Sequence, residues 1–155
     1  MLQRIQSVYL LLAGLVLFSL FLFPVVHNVP VNGTLSTIKV SGVYRDVNGA
    51  LAQTQSFVLL IAGTAIVALL PIILIFLYKS RKKQIVLCYL CILVIIGYSF
   101  WMEQTVRSVT DILILSTNNF GIGALLSSIS IVLLILAAKA IQRDEKLVKS
   151  ADRLR

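Results

Sequence analysis

The residues FVLLIAGTAIVALLPIILIFLY, Phe57–Tyr78, decide the fold of this chain. The stretch contains no charged side chain, and KSRKK, residues 79–83, follows it at once. A helix rises about 1.5 Å per residue, so about 20 apolar residues cross the roughly 30 Å hydrocarbon core of a bilayer. The pattern therefore predicts a transmembrane helix that ends at a basic loop.

Three further apolar blocks lie at residues 7–26, 85–102 and 120–138, again without a charged side chain. Hydrophobic residues make up 59% of the chain and charged residues 13%, whereas about 25% of an ordinary soluble domain is charged. We therefore predict an all-α membrane protein, a four-helix transmembrane bundle in a single domain of residues 1–155. The first block is longer than the core of a signal peptide and lacks a small-residue cleavage site, which favours an uncleaved anchor.

The segments that precede, connect and follow these blocks are alternately rich and poor in basic residues. Eleven of the 14 fall at the N-terminus, in residues 79–84 and in the tail 139–155, and three fall in residues 27–56 and 103–119. Loops rich in Lys and Arg stay in the cytoplasm. We therefore predict that both termini are cytoplasmic and that segments 27–56 and 103–119 lie on the opposite side.

Segment 27–56 has the features of a small sheet. The pairs Asn32-Gly33 and Asn48-Gly49 are strong hairpin signals because type I′ turns need positive φ, and stretches rich in Val, Ile, Thr and Tyr lie around them. We predict a β-hairpin or β-meander of two or three strands on the outer ends of the helices. The tail 139–155 is expected to continue the fourth helix into the cytoplasm.

The cytoplasmic basic residues predict a surface for anionic lipid head groups or for a protein partner in a membrane complex. On this basis the net charge of +8 reports topology rather than nucleic-acid binding. The candidate surface consists of Arg4, Lys79, Arg81, Lys82, Lys83, Arg143, Lys146, Lys149, Arg153 and Arg155.

A polar contact between the two ends of the chain is also expected. Gln3, Arg4 and Gln6 would lie on the same side as Asp144 and Glu145 of the tail. Such a contact would tether the first helix to the fourth.

The residue types give little indication of an enzyme. Cys88 and Cys91 have the C-x-x-C spacing of redox proteins, but in an apolar helix they are expected to pack as small apolar side chains. Two Cys and one His are too few for a zinc site of protein ligands, so we expect no metal, no cofactor and no enzymatic activity. A small transporter or channel formed by oligomerisation is the alternative function, and a thiol-dependent membrane redox enzyme is the less favoured one.

The two ends of the sequence resemble a known family. The segments MLQRIQSVYLLL, Met1–Leu12, and RDEKLVKSADRLR, Arg143–Arg155, are similar to the terminal motifs of the Bacteroidota domain-of-unknown-function family 4293, whose members are small membrane proteins of similar length. The resemblance implies no activity, substrate or catalytic residue. It does imply a bacterial inner membrane, in which segments 27–56 and 103–119 would be periplasmic.

Overall fold

The four apolar blocks of the sequence form four helices, and a small antiparallel sheet lies between the first two. The computed structural model describes residues 2–31, 33–47, 50–77, 80–110 and 119–152, and it describes side chains for 5–31, 33–46, 51–77, 80–110 and 119–148. The helices are α1 (Leu2–Phe18), α2 (Val58–Phe76), α3 (Arg81–Val109) and α4 (Ile122–Asp152). The strands are β1 (Val26–Val31), β2 (Thr34–Lys39), β3 (Gly42–Val47) and β4 (Ala50–Ser56). This part of the chain is thus mostly helical.

The first helix begins before its apolar block, at Leu2, and ends inside it. Regular α-helix ends at Phe18, and a 3-10 turn, Ser19–Phe21, follows. Pro24 explains this end, because proline has no N–H for the helix ladder and disfavours the helical conformation of the preceding residue. Val26 therefore begins β1, where the sequence had predicted the end of a span.

The last two helices are longer than their apolar blocks. Helix α3 has 29 residues and α4 has 31, which correspond to about 43 and 46 Å at 1.5 Å per residue. The predicted loop at 79–84 is helical from Arg81, and the predicted loop at 103–119 is helical through Val109. Residues 111–118 lie outside the described residues. The tail is helical through Asp152.

The helices pack as a ring in which each contacts two neighbours, α1 with α2 and α4, and α3 with α2 and α4. The α1–α4 contact is the most extensive. Ala13 of α1 and Ser130, Ala137 and Ala138 of α4 are fully buried, and Ser130 Oγ donates a 3.2 Å hydrogen bond to the Ala13 carbonyl. Small side chains let two backbones approach closely, so this seam fixes α1 against α4.

A buried hydroxyl pair joins α2 to α3. Thr64 Oγ1 donates to the Leu60 carbonyl at 2.7 Å, so its oxygen is free to accept the Tyr98 hydroxyl at 2.5 Å. Gly63 lies one residue away, and a Cβ there would stand 3.0 Å from Cζ3 of Trp101. The glycine thus lets the indole lie close to the backbone of α2.

The sheet is an antiparallel meander in the order β1-β2-β3-β4. The meander is confirmed, but the expectation of two or three strands is wrong. Strand β1 was missed because it begins inside the first apolar block and carries a bulge, with Asn28 at φ 52°. Strand β4, ALAQTQS, was missed because its composition is poor in the β-branched residues that indicate strands. The three two-residue connections fall at 32–33, 40–41 and 48–49, and the predicted Asn-Gly pairs occupy the first and the last. Gly33 has the positive φ of 75° expected of such a turn; Asn32, Asn48 and Gly49 lie outside the described residues.

One face of the sheet joins the helical core. Val29, Ile38 and Val43 are buried on that face, in the same hydrophobic cluster as the helix side chains. Strand β4 is exposed along its described side chains, residues 51–56. The sheet therefore rests on the helices through its first three strands.

Backbone hydrogen bonds anchor the start of the sheet to the start of α4. The Gly121 N–H donates to the Val25 carbonyl and the Gly123 N–H donates to the Pro24 carbonyl, each at 2.9 Å. A Cβ at Gly123 would stand 2.7 Å from the Pro24 oxygen, closer than van der Waals contact allows. Glycine is therefore required where α4 meets the segment before β1.

Replacing Gly123 with alanine should destabilise the fold, because the added methyl group meets backbone rather than a flexible side chain. We expect a loss of about 1–3 kcal/mol, typical of an overpacked site, measured as a lower unfolding temperature of the detergent-solubilised chain. Gly97→Ala is the matched control, since a Cβ there meets nothing within 4 Å and alanine favours helix by up to about 1 kcal/mol. Equal unfolding temperatures for the two variants would contradict the close approach at Pro24.

Candidate functional site: the tail end of the helices

The helix ends away from the sheet, here called the tail end, are joined by buried amide side chains. Gln6 Nε2 of α1 donates to the Ala140 carbonyl of α4 at 3.3 Å. Gln84 Nε2 of α3 donates to the Leu74 carbonyl of α2 at 2.9 Å. Both glutamines are buried. They hold α1 to α4 and α2 to α3 where the chain changes from apolar to basic.

An ion pair links the start of α3 to the last part of α4. Arg81 Nη2 lies 3.2 Å from Asp144 Oδ2, and Arg81 Nη1 donates to the Asp144 carbonyl oxygen at 3.5 Å. The two side chains are 27% and 12% exposed, so water only partly screens their attraction. Arg81 thus positions the tail rather than standing free on the surface.

This pairing refines the contact that the sequence predicted between the two ends of the chain. Gln6 makes the α1–α4 hydrogen bond, and the Asp144 carboxylate faces Arg81. The side chain of Arg4 lies outside the described side chains. No feature of the sequence marks Arg81 as the partner of Asp144, because the two residues are 63 positions apart.

Four cations of the candidate surface are exposed at this end: Lys82 and Lys83 on α3, and Arg143 and Lys146 on α4. We call these four the tail-end cations. The salt bridge between Arg81 and Asp144 brings their two helices together. Of the other predicted members, Lys79, Arg153 and Arg155 lie outside the described residues, and Lys149 is described only as part of the α4 backbone.

A shallow, open apolar depression on the surface of α3, here called the groove, lies beside two of the tail-end cations. Lys82, Lys83, Val86 and Leu87 line a space of about 380 Å³ at the start of α3. Lysine side chains can lay their methylene groups along such a surface and keep the ammonium group in water. The N-terminus of a helix also attracts anions, because its first N–H groups and its dipole present positive charge. The arrangement can hold an anionic head group above an acyl chain.

The thiols lie apart from this surface. Cys88 and Cys91 are free and buried on α3, within the hydrophobic core. Among the described residues, no group of three or more His, Cys, Asp or Glu side chains is placed to hold a metal ion.

The outer faces of the helices are apolar. Leu59 and Phe76 on α2 are each 75% exposed, and similar side chains are exposed on the other helices. Within the part of the chain that the structure describes, three helices are long and apolar enough to cross a membrane: Val58–Phe76, Arg81–Val109 and Ile122–Val148. The apolar part of the first helix is shorter, Ile5–Phe21. A continuous exposed apolar surface of this extent marks a membrane or protein contact.

Comparison with known proteins identifies a family. The model of the family described as Domain of unknown function (DUF4293) matches residues 2–154. No curated protein and no solved structure matches the chain.

Removing the Arg81 side chain should loosen the tail, because Asp144 would remain largely buried without its cation. For Arg81→Ala we expect a loss of about 1–3 kcal/mol, the usual cost of stranding a buried polar or charged group, read as a lower unfolding temperature and faster proteolysis of the tail. Arg107→Ala is the control, since the Arg107–Glu103 pair is exposed and such pairs contribute at most about 1 kcal/mol. A double-mutant cycle with Asp144→Ala that shows no coupling would contradict this assignment.

Proposed function

Because the chain belongs to the DUF4293 family, whose description states no activity, we propose its function from its own structure. The protein is a multi-pass protein of a bacterial inner membrane and acts as a non-enzymatic accessory or assembly subunit. Its tail end is the ligand-binding surface, and the start of α3 within this surface binds anionic phospholipid. A protein partner at the same surface is the second candidate.

Membrane insertion of all four helices is supported by their length and exposure. Three helices meet the requirement by themselves. The apolar part of α1 and its 3-10 turn, Ile5–Phe21, spans about 27 Å at 1.5 and 2.0 Å per residue. That length is slightly shorter than a hydrocarbon core of about 30 Å. Leu11, Leu12 and Leu15 of α1 are exposed, as expected of a face in contact with lipid.

The orientation follows from the charges. The tail end carries the tail-end cations and Lys139, whereas the sheet and the outer end of α3 carry Lys39, Arg45 and Arg107. Since basic loops remain in the cytoplasm, the tail end is cytoplasmic and the sheet is periplasmic.

The groove at the start of α3 is the observation that carries the lipid assignment. Exposed Lys82 and Lys83 stand beside Val86 and Leu87, on the first turns of a helix that begins with no side-chain cap at Ser80. An anionic phospholipid matches each part, because its phosphate can face the ammonium groups and its acyl chain can lie on the valine and leucine. Each such lysine contributes about 1 kcal/mol of attraction near an anionic membrane surface.

Topology is tested by reporter fusions in the intact host. A reporter active only in the periplasm should work when it is inserted at 48–49 and fail when it is fused after Arg155, and a cytoplasmic reporter should give the reverse. Alkaline washing of membranes should leave the chain in the pellet. Release by alkali would show that the helices do not cross the bilayer.

The lipid assignment is tested by neutralising the groove. Lys82→Gln with Lys83→Gln should weaken binding of phosphatidylglycerol to the detergent-solubilised chain roughly 30-fold, since two lysines contribute about 2 kcal/mol, measured by native mass spectrometry. Arg143→Gln with Lys146→Gln removes the same charge from the neighbouring helix without touching the groove, and should weaken binding much less.

Equal losses in the two double variants would contradict a groove-specific site. Unchanged lipid binding combined with loss of a co-purifying protein in the Lys82 and Lys83 variant would favour the protein partner instead.

A further inference from the structure

A second apolar cleft lies at the opposite end, between the outer halves of α3 and α4. Its volume is about 340 Å³, and its walls include Ile96 and Met102 of α3, Ala124 and Ile131 of α4, and Val26 of β1. The space is large enough for part of an acyl chain. The cleft lies on the flank of the helices. In the proposed membrane, lipid of the leaflet on the sheet side can therefore enter the cleft.

Ser127 gives this cleft a polar feature. The residue lines the cleft and is 3% exposed, yet among the described residues its Oγ has no hydrogen-bond partner. Buried hydroxyl groups are normally paired, since burial without a hydrogen bond is costly. Ser130, one turn further along α4, shows the usual arrangement in its bond to the Ala13 carbonyl. Ser127 is therefore a wall residue of the cleft whose buried hydroxyl group is still available to an acceptor.

In the proposed membrane, Ser127 lies at the depth of the ester groups of a phospholipid. It lies five residues into α4 from Ile122, about 8 Å along the helix axis. Met102 of the cleft directly follows Trp101, and tryptophan favours the level of the lipid head groups. A glycerol ester carbonyl lies just inside that level, where it can accept the Ser127 hydroxyl.

The rim of the cleft carries opposite charges. Glu103 lines the cleft, and Arg107, one turn further along α3, donates to Glu103 Oε1 at 2.7 and 3.0 Å. Both side chains are exposed, so each can also meet a charged ligand. A phosphate can face the guanidinium and an ammonium can face the carboxylate.

We propose that this cleft binds one glycerophospholipid with an ethanolamine head group. An acyl chain occupies the apolar cleft, the Ser127 hydroxyl donates to an ester carbonyl, and the Glu103–Arg107 pair contacts the ammonium and the phosphate. The site rests on the proposed membrane insertion and is separate from the anionic site at the tail end.

Binding is tested on the full chain, stripped of lipid in detergent and titrated with phosphatidylethanolamine or phosphatidylglycerol, with bound lipid counted by native mass spectrometry. Ser127→Ala should weaken phosphatidylethanolamine binding roughly five-fold, as expected for one lost hydrogen bond, while the lipid-free unfolding temperature stays equal or rises. Ser108→Ala, an exposed serine on α3 outside the cleft, is the control and should bind as the wild type does.

Filling the cleft gives an independent test. Ala124→Phe should abolish binding, whereas Leu125→Phe, on the exposed side of α4, should not. Glu103→Gln should reduce the preference for phosphatidylethanolamine over phosphatidylglycerol.

Three results would overturn the site: wild-type binding by a folded Ala124→Phe variant, a lower lipid-free unfolding temperature for Ser127→Ala, or equal affinity of the wild type for the two lipids.

Alkaline washing of membranes that carry each variant separates this site from the proposed function. A chain that stays in the membrane but does not bind phosphatidylethanolamine refutes the cleft alone, whereas release by alkali refutes the membrane assignment.

Discussion

The close packing of α1 against α4 is the constraint on which the rest of the structure depends. Ala13, Ser130, Ala137 and Ala138 are fully buried there, so the first and last helices approach through small side chains. In the lipid environment proposed for these helices the hydrophobic effect would not drive them together, and close packing with interhelical hydrogen bonds would do so. Once α1 and α4 are fixed, α2 and α3 complete the ring by contacting these two helices and each other.

The same seam places the two ends of the molecule. At the sheet end, α1 stops before Pro24, and the Pro24 and Val25 carbonyls accept the Gly123 and Gly121 N–H groups at the start of α4. The first strand is therefore tied to the fourth helix before the meander begins. At the tail end, Gln6 holds α1 to α4, and α4 continues through Asp152 as the support for its exposed cations.

The two ends differ in chemistry, and the proposals follow that difference. The tail end has exposed lysines beside an apolar groove and a largely buried ion pair that links α3 to α4. The sheet end has an apolar cleft with a buried hydroxyl group and an exposed pair of opposite charges. An anionic phospholipid suits the first arrangement and a zwitterionic one suits the second, so the two proposals together assign a specific lipid to each end of the molecule.

The sequence by itself determined the features that depend on local composition. The apolar runs form helices, and the Asn-Gly pairs fall at two of the three two-residue connections of the meander. Tertiary structure alone decided the features that depend on contacts between different elements. Strand β4 has little strand propensity of its own and forms because β3 offers its backbone groups. Asp144 is paired because α3 begins beside it, and Ser127 lines a cleft because α3 and α4 both contribute walls to it. Hydropathy is a property of each residue, whereas pairing, burial and cavities depend on which elements the fold brings together, as it does Arg81 and Asp144 from 63 positions apart.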